Sequence, residues 1–196
     1  MEQSIRKIAF LSCCAPCSAG TLSSLYRPGR LPCGADFIVL FMNPNIYPAE
    51  EYQKRLAEQI KLCKHFGVKY AVGEYDHDKW RAAVRGLEGE PERGKRCMEC
   101  FKYRFALAAE WARANGYDAI ASSFGVSKYK DRSQIDAAAL SVIPASITYL
   151  PGDFAKGDTN PQGLPKQNPG INIDMYRQKY CGCEFSETYP KELKKY

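Results

Sequence analysis

Seven of the nine cysteines in the chain fall into three tight clusters. They are Cys13-Cys14-Ala15-Pro16-Cys17, Cys97-Met98-Glu99-Cys100 and Cys181-Gly182-Cys183, with roughly eighty residues between one cluster and the next. Only a fold that brings distant segments together can combine these clusters in one site. Thiols at this density are typical of a disulfide framework, a structural zinc site, a dithiol redox centre or an iron–sulfur site.

Length and composition argue against the disulfide framework. The chain has 196 residues, 45% of them hydrophobic and 26% charged, so residues 1–196 can form one domain whose core needs no disulfides. The apolar run near the N-terminus is too short for a signal peptide, and no stretch approaches the roughly 20 apolar residues of a membrane span. We therefore expect a cytoplasmic protein without a membrane partner, in which reduced thiols serve metal or redox chemistry.

Apolar runs and amphipathic segments alternate along the chain. The run from Phe37 to Met42 is continuously apolar, as a central parallel strand should be. Residues 49–66 have a helical pattern, with Tyr52, Leu56, Ile60 and Cys63 on one face. The alternation predicts a doubly wound α/β fold with a mostly parallel sheet and helices on both faces. Further strands are predicted at 8–11, 69–75, 119–123 and 146–150, and further helices at 18–26, 78–86, 97–115 and 133–142.

Two segments near the C-terminus depart from this alternation. Residues 151–175 are rich in Gly, Pro, Asn and Asp and predict a long irregular loop. Residues 176–196 form a C-terminal segment that carries the last cysteine pair and would complete the site. Ligands of open α/β sheets bind beyond the carboxyl ends of the strands, which is where the first cluster should lie. The second cluster opens a helix, whose N-terminus favours thiolates, and Gly182 permits a turn between the last two cysteines.

The number of thiols favours more than one metal centre. One structural zinc takes four ligands and would leave three thiols unused. A 4Fe–4S cluster takes up to four thiolates and leaves enough for a second metal. Adjacent Cys13 and Cys14 cannot easily point at one atom, which also favours two neighbouring centres, although zinc and dithiol chemistry stay open. Of the two remaining cysteines, Cys63 is predicted in the core and Cys33 in a loop.

Five stretches carry a resemblance to a known family, in family order and over nearly the whole chain. They are Cys-Cys-Ala-Pro-Cys at 13–17, Asn-Pro-Asn-Ile-Tyr-Pro at 43–48 with Glu51, Tyr52 and Arg55, Gly-Lys-Arg-Cys-Met-Glu-Cys-Phe at 94–101 with Arg104, Ser-Lys-Tyr-Lys-Asp at 127–131, and Tyr-Arg-Gln-Lys-Tyr-Cys-Gly-Cys-Glu-Phe-Ser at 176–186. In these stretches the chain resembles the cobalamin-independent epoxyqueuosine reductases, the QueH family.

The resemblance implies a nucleotide-alpha-hydrolase-like fold, a 4Fe–4S cluster and an adjacent mononuclear iron. It also implies the activity, which is reduction of epoxyqueuosine to queuosine in tRNA, the final step of queuosine biosynthesis. All seven clustered cysteines match family motif positions. We predict that Cys14, Cys97, Cys100 and Cys183 bind the cluster, and that Cys13, Cys17 and Cys181 bind the separate iron.

The implied reaction defines further expectations. Turning an epoxide into an alkene needs two electrons, two protons and loss of oxygen as water, so an external low-potential electron donor is expected. Asp131 and Tyr180 are candidate proton donors because they lie in or beside the motifs. The net charge of +6 permits an RNA partner, and cations and aromatic rings suit an anticodon loop. The candidate substrate contacts are Lys95, Arg96, Lys128, Tyr129, Lys130 and Arg177.

The chain departs from the family pattern in three places. Leu11 stands where relatives usually carry His, the segment at 27–35 is longer than usual, and a Pro- and Gly-rich loop occupies 154–174. Three other functions stay open, namely a zinc-stabilised nucleic-acid-binding module, a thiol–disulfide oxidoreductase and an ATP-using tRNA enzyme. Pro16 argues against the last, because it removes an amide that a phosphate-binding loop would use.

Overall fold

The computed structural model describes residues 5, 7–25, 36–127, 130–151 and 174–186. Within them, five parallel strands form one sheet in the order β3-β2-β1-β4-β5. The chain moves outward from the central strand β1 first in one direction and then in the other, which is the doubly wound arrangement. The predicted α/β fold is therefore confirmed. The strands are β1 (Lys7–Ser12), β2 (Asp36–Phe41), β3 (Lys69–Val72), β4 (Ala119–Ser122) and β5 (Thr148–Tyr149).

Helices cover both faces of the sheet because side chains of the central strands alternate between two apolar clusters. Ala9 and Leu11 of β1 face one cluster, together with α4 and α5. Ile8 and Phe10 face the other, together with α1 and α2. The helices are α1 (Ala15–Leu25), α2 (Ala49–Phe66), α3 (His77–Ala83), α4 (Lys95–Ala114) and α5 (Arg132–Val142), with a short 3-10 turn at Phe124–Val126.

Several element boundaries differ from the sequence predictions. The first helix begins at Ala15, so Cys17 lies in its first turn and not before it. The edge strands β3 and β5 are shorter than predicted, with four and two residues. Short edge strands leave few backbone groups open to pairing with another chain. The predicted helix of 49–66 is confirmed, and it ends at Gly67, whose φ of 63° is left-handed.

The buried face of α2 is more polar than its apolar periodicity predicts. Leu56 and Ile60 are only half-buried, whereas Arg55 and Gln59 are 2% and 1% exposed. Gln59 accepts a hydrogen bond from Ser12 Oγ at 2.6 Å, and Arg55 donates to the C-terminal segment. Burial of these two polar groups is tolerated because each has hydrogen-bond partners. Cys63 is fully buried in the core, as predicted.

Some sequence predictions fall outside the described residues. These are most of the irregular loop predicted at 151–175, the long segment at 27–35 with Cys33, the candidate contacts Lys128 and Tyr129, and positions 187–196 of the C-terminal segment. Among the helices that are described, none combines the length and the apolar character needed to cross a membrane. Leu11, at the usual His position, is fully buried in β1.

Candidate metal centre

The first thiol group lies where β1 ends and α1 begins. The sulfur atoms of Cys13, Cys14 and Cys17 lie within 4.8 Å of one another. Cys13 Sγ and Cys14 Sγ are 3.8 Å apart, so the two adjacent side chains do point into a common region. Cys17 joins them because the helix begins at Ala15 and its first turn brings position 17 back beside the loop. Three thiols at these distances can hold a metal ion.

Hydrogen bonds within this first group favour a thiolate at Cys13. The thiols of Cys14 and Cys17 hold the pKa of Cys13 well below its usual value. The same contacts raise the pKa of Cys17, and that of Cys14 to about 12. Ser123 Oγ accepts from the backbone N–H of Cys13 at 3.0 Å and lies 3.4 Å from its sulfur. Thiolate is the form that binds metals, so one ligand is already favoured in the required state.

The second thiol group lines a cavity that is partly open to solvent. Cys97 and Cys100 come from the first two turns of α4, and Cys181 and Cys183 come from the C-terminal segment. The wall is completed by Asn45, Trp80, Glu92, Arg96, Phe101, Arg104 and Lys130. As predicted, the second cluster lies at a helix N-terminus, and α4 begins at the carboxyl edge of the sheet because it leads into the parallel strand β4.

Three contacts fix the Cys-Gly-Cys turn against the sheet. Gly182 has a φ of 109°, and its carbonyl accepts a hydrogen bond from the Tyr47 N–H at 2.9 Å. Arg55 donates through Nη1 to the carbonyl of Cys181 and through Nη2 to that of Tyr180, both at 3.2 Å. The sequence predicted that Gly182 permits a turn between the two cysteines, whereas it did not predict the role of Arg55.

Burial and thiol–thiol contacts also shift the pKa values of the cysteines in the second group. Burial raises the pKa of Cys97 to about 11 and also raises that of Cys100. A hydrogen bond with Cys183 lowers the pKa of Cys181 to about 6 and raises that of Cys183. As in the first group, one thiol is favoured as thiolate and its neighbour as the proton donor to it.

Two side chains connect the two thiol groups. Lys130 lies in the wall of the second group's cavity, and its charge adds to the larger effect of neighbouring thiols in lowering the pKa of Cys13 in the first group and of Cys181 in the second. Gln178, from the C-terminal segment, donates from Nε2 to Cys14 Sγ at 2.7 Å. The three cysteine clusters are therefore neighbours at one edge of the sheet, where the order of strands and helices alone predicted at least two of them.

The residues of the second group fit a sulfur-rich anionic ligand. All four candidate ligands are thiols, and Arg96, Arg104 and Lys130 supply positive charge around them. Two buried N–H groups of the cavity wall, Arg96 Nε and Trp80 Nε1, have no hydrogen-bond partner among the described residues. A bound group with acceptor atoms would satisfy both, which is what the sulfur atoms of an iron–sulfur cluster provide.

The grouping of the thiols differs from the predicted division of ligands. The prediction assigned Cys14 to the same centre as Cys97, Cys100 and Cys183, and placed Cys181 with Cys13 and Cys17. In the structure Cys14 lies with Cys13 and Cys17, whereas Cys181 lines the cavity beside Cys183. The backbone explains the difference, because the first three thiols share one helix start and the last two share one turn.

The two candidate proton donors both make structural contacts. Asp131 caps α5, where its carboxylate accepts from the Gln134 N–H at 3.1 Å and from the Ser133 hydroxyl. These contacts lower its pKa, so it is an ionised acceptor at neutral pH. The Tyr180 hydroxyl donates to the carbonyl of Tyr47. Neither arrangement places a free proton at the cavity.

The described candidate substrate contacts divide into exposed and buried residues. Lys95 and Arg177 are exposed, and Lys130 lies half-buried at the cavity. Arg96 is 2% exposed, and it donates from Nη1 to the carbonyl of Glu88 at 2.8 Å and from Nη2 to that of Phe185 at 3.1 Å. Its guanidinium therefore links the loop before α4 to the C-terminal segment. Because this group is buried, a polyanion at the protein surface does not reach it.

Sequence reasoning missed several residues around the thiols. Arg104 and Gln178 lie inside the stretches that resemble the family, so their position was available as a signal. Trp80 and Ser123 lie outside those stretches, and nothing in their local pattern distinguishes them from core residues. Only the tertiary structure brings Trp80 to the cavity.

Fold and site together define a class, which is a parallel α/β protein with a thiol-rich candidate metal centre at the carboxyl edge of its sheet. A model of the family described as Epoxyqueuosine reductase QueH matches residues 8–189. The chain is 34% identical to the epoxyqueuosine reductase QueH of Histophilus somni over 182 residues, which are 92% of this chain and 72% of the relative. For the Haemophilus influenzae protein of the same name, identity is 36% over 184 residues, with 92% and 71% covered. The chain belongs to the epoxyqueuosine reductase QueH family, and the predicted resemblance is confirmed.

A solved structure also aligns with the chain. It is the U34-tRNA thiolase NcsA from Methanococcus maripaludis with its 4Fe–4S cluster. The alignment covers 79% of this chain and 56% of the thiolase, at 14% identity and a TM-score of 0.47. At that level of similarity, no property of the thiolase transfers to this chain.

Proposed function

We propose that the protein reduces epoxyqueuosine in tRNA to queuosine. Membership of a family whose relatives carry the name epoxyqueuosine reductase supports the reaction. The observation on which the proposal chiefly rests is that seven thiols meet at one sheet edge in two adjacent groups that share Lys130. Reductive opening of an epoxide needs two electrons, so two neighbouring redox-active metal sites suit the chemistry.

The structure supports a revised division of the ligands within this proposal. Cys97, Cys100, Cys181 and Cys183 would hold a 4Fe–4S cluster, because they line one cavity with two unpartnered N–H donors. Cys13, Cys14 and Cys17 would hold the separate iron, because their sulfur atoms lie within 4.8 Å of one another. When bound, such a cluster supplies electrons one at a time, and a separate iron acts as a Lewis acid towards an oxygen ligand.

The chain's own side chains would orient and shield these centres. Arg55 holds the carbonyls of Tyr180 and Cys181, and Gln178 holds Cys14, so both groups keep their spacing. Phe101 and Trp80 line the cavity and would limit the access of water to the thiols. In the balanced reaction the epoxide gains two electrons and two protons, both carbon–oxygen bonds break, and water leaves.

The part of the substrate that we expect to bind at the protein surface is a tRNA anticodon loop. Lys130 lies at the cavity, and Lys95 and Arg177 are exposed in the two segments that supply the four cavity cysteines. Loops of RNA are bound by phosphate contacts and by stacking on aromatic rings, so these cations suit the phosphates. Lys128 and Tyr129 precede Lys130 in the chain and are proposed as contacts on the same grounds. The electrons would come from an external low-potential donor.

Anaerobic turnover of tRNA that contains epoxyqueuosine tests this function. Nucleosides released from the tRNA are analysed by mass spectrometry after incubation with wild type, Cys97→Ala or Cys63→Ala. Removing a residue that hydrogen-bonds a metal ligand typically lowers activity about 10–100-fold. Removing the proposed ligand Cys97 itself should therefore lower turnover at least about 100-fold. Cys63 is a core cysteine away from both groups, and its variant should retain turnover. Failure of iron-loaded wild type to convert the base would refute the proposal.

A further inference from the structure

Backbone N–H groups donate hydrogen bonds to sulfur atoms of the cavity cysteines. The backbone N–H of Arg93 donates to Cys97 Sγ at 3.2 Å, and that of Cys183 donates to Cys181 Sγ at 3.4 Å. Backbone donors therefore serve two of the four sulfur atoms. Near Cys100 the available N–H belongs to the side chain of Trp80, which lines the same cavity and packs in the same apolar cluster.

The indole of Trp80 is held in place on several sides. Its side chain is fully buried in α3, and its ring stacks on His77 and Phe185 at centroid distances of 5.1 and 6.1 Å. His77 is itself fixed, because Nδ1 lies 2.7 Å from the carbonyl of Pro44 and Nε2 lies 3.0 Å from Glu184 Oε1. The ring cannot turn away from the cavity without breaking this packing.

The N–H of Trp80 is buried without a well-formed hydrogen bond. Nε1 is buried, lies in the cavity wall and forms no hydrogen bond of normal geometry among the described residues. An unsatisfied buried donor costs free energy, so its retention needs an explanation. A thiolate sulfur bound to iron carries more negative charge than a thiol and is the better acceptor.

We propose that Trp80 is a positioning residue of the cluster site, whose indole N–H donates to the Cys100 sulfur when iron is bound and thereby raises the reduction potential. Hydrogen bonds to cluster sulfurs set potentials because they stabilise the more negative, reduced state. This inference rests on the proposed function, since it presupposes the cluster. It adds a side-chain donor for Cys100 to the backbone donors of Cys97 and Cys181.

The test replaces one N–H and leaves the shape of the ring. Trp111 is the other tryptophan of the chain, and it packs against Tyr117 about 16 Å further along α4 from Cys100. In a Trp111→Phe protein, the remaining Trp80 is replaced biosynthetically by benzothienylalanine, which has sulfur in place of the indole N–H. Redox titration, followed by electron paramagnetic resonance, then compares the Trp111→Phe protein that has tryptophan at position 80 with the one that has benzothienylalanine there. Iron and sulfide content are matched between the two before the titration.

We expect the cluster without the N–H to be harder to reduce. At the midpoint potential of the parent, the ratio of oxidised to reduced cluster should rise about tenfold, which corresponds to about 59 mV for a one-electron couple. The Trp80→Phe variant should shift in the same direction, whereas Trp111→Phe alone should match wild type. Equal midpoint potentials in matched, loaded proteins would overturn the role of Trp80 alone. A parent protein that binds no iron at all would overturn the proposed function itself.

Discussion

Arg96 shows how a charged side chain beside a metal motif can serve the architecture. It is 2% exposed, and its guanidinium donates to backbone carbonyls on both sides of the cavity. Asp131 caps a helix, and the Tyr180 hydroxyl bonds a carbonyl. Sequence position alone suggested chemistry for all three, because residue type and nearness to cysteines do not reveal burial or partners. At this scale the thiols were predictable, and the roles of their neighbours were not.

The helix cap formed by Asp131 allows a test of whether this residue has a structural role or acts as a proton donor. Its pKa is lowered in the folded state, so its contribution to stability is present above the unfolded pKa of about 3.9 and is lost as pH falls through the lower folded value. Asp131→Asn keeps a side chain that caps well, and we expect turnover within about twofold of wild type at neutral pH. Loss of a true general acid would cost about 10²–10⁴-fold. Turnover reduced by that factor would restore the catalytic assignment.

Gly182 gives a second test at the residue scale. An added Cβ would lie 2.9 Å from Ile46 Cγ1 and 3.0 Å from Arg55 Nη1, and the φ of 109° is unfavourable for alanine. Gly182→Ala should therefore displace the cysteine turn and lower iron content several-fold. Gly67→Ala is the matched control, since Gly67 also has a positive φ but has open space around its Cα. Metal analysis that finds equal iron in the two variants would contradict this account of the turn.

Helix α2 and the C-terminal segment form the clearest interaction between elements. The periodicity of α2 located the helix correctly, yet its buried face includes Arg55 and Gln59 because they bond the metal-site loops. Positions 174–186 have no helix or strand, so their backbone must find partners elsewhere. Arg55 supplies two of those partners. Local patterns predict elements, but they cannot predict such a contact across the chain.

This contact between elements predicts a specific loss on substitution. Arg55→Lys keeps the charge but loses the two-nitrogen fork that donates to the carbonyls of Tyr180 and Cys181. We expect metal affinity at the second thiol group to fall about 10–100-fold, as for other supporting residues of metal sites. Lys64→Met on the exposed side of the same helix is the control and should bind metal as wild type does. Competition with a chelator measures the affinities, and parity between the two variants would refute the role of Arg55.

At the scale of the whole molecule, the doubly wound topology creates the site. Three strands end, and α4 begins, at one edge of the sheet. At that edge the alternation of strands and helices predicted a ligand site. The sequence therefore predicted the sheet, the helices and the position of at least two of the three cysteine clusters near one edge. It did not predict which thiols would be neighbours, because that depends on where α1 begins and how the turn at Gly182 docks on Ile46 and Arg55.

The same topology predicts a local effect of metal removal. A metal bound by the second thiol group would cross-link α4 to the C-terminal segment, in addition to the hydrogen bonds, the ion pairs of Glu184 and the stacking of Phe185 that hold this segment. Chelation under reducing conditions should therefore speed amide hydrogen exchange at 174–186 by about tenfold or more, while β1 and β2 keep their protection. Uniform acceleration over the sheet, or no change at 174–186, would contradict this view of the metal as a local clamp.

The most direct test of the central claim is the Mössbauer spectrum of protein purified anaerobically from cells grown on ⁵⁷Fe. Two thiol groups that hold a 4Fe–4S cluster and a separate iron predict about five iron atoms per chain, in two spectral components with areas near four to one. Cys97→Ala should lose the larger component, and Cys13→Ala should mainly lose the smaller one. A protein that holds stoichiometric zinc and no iron would contradict the account.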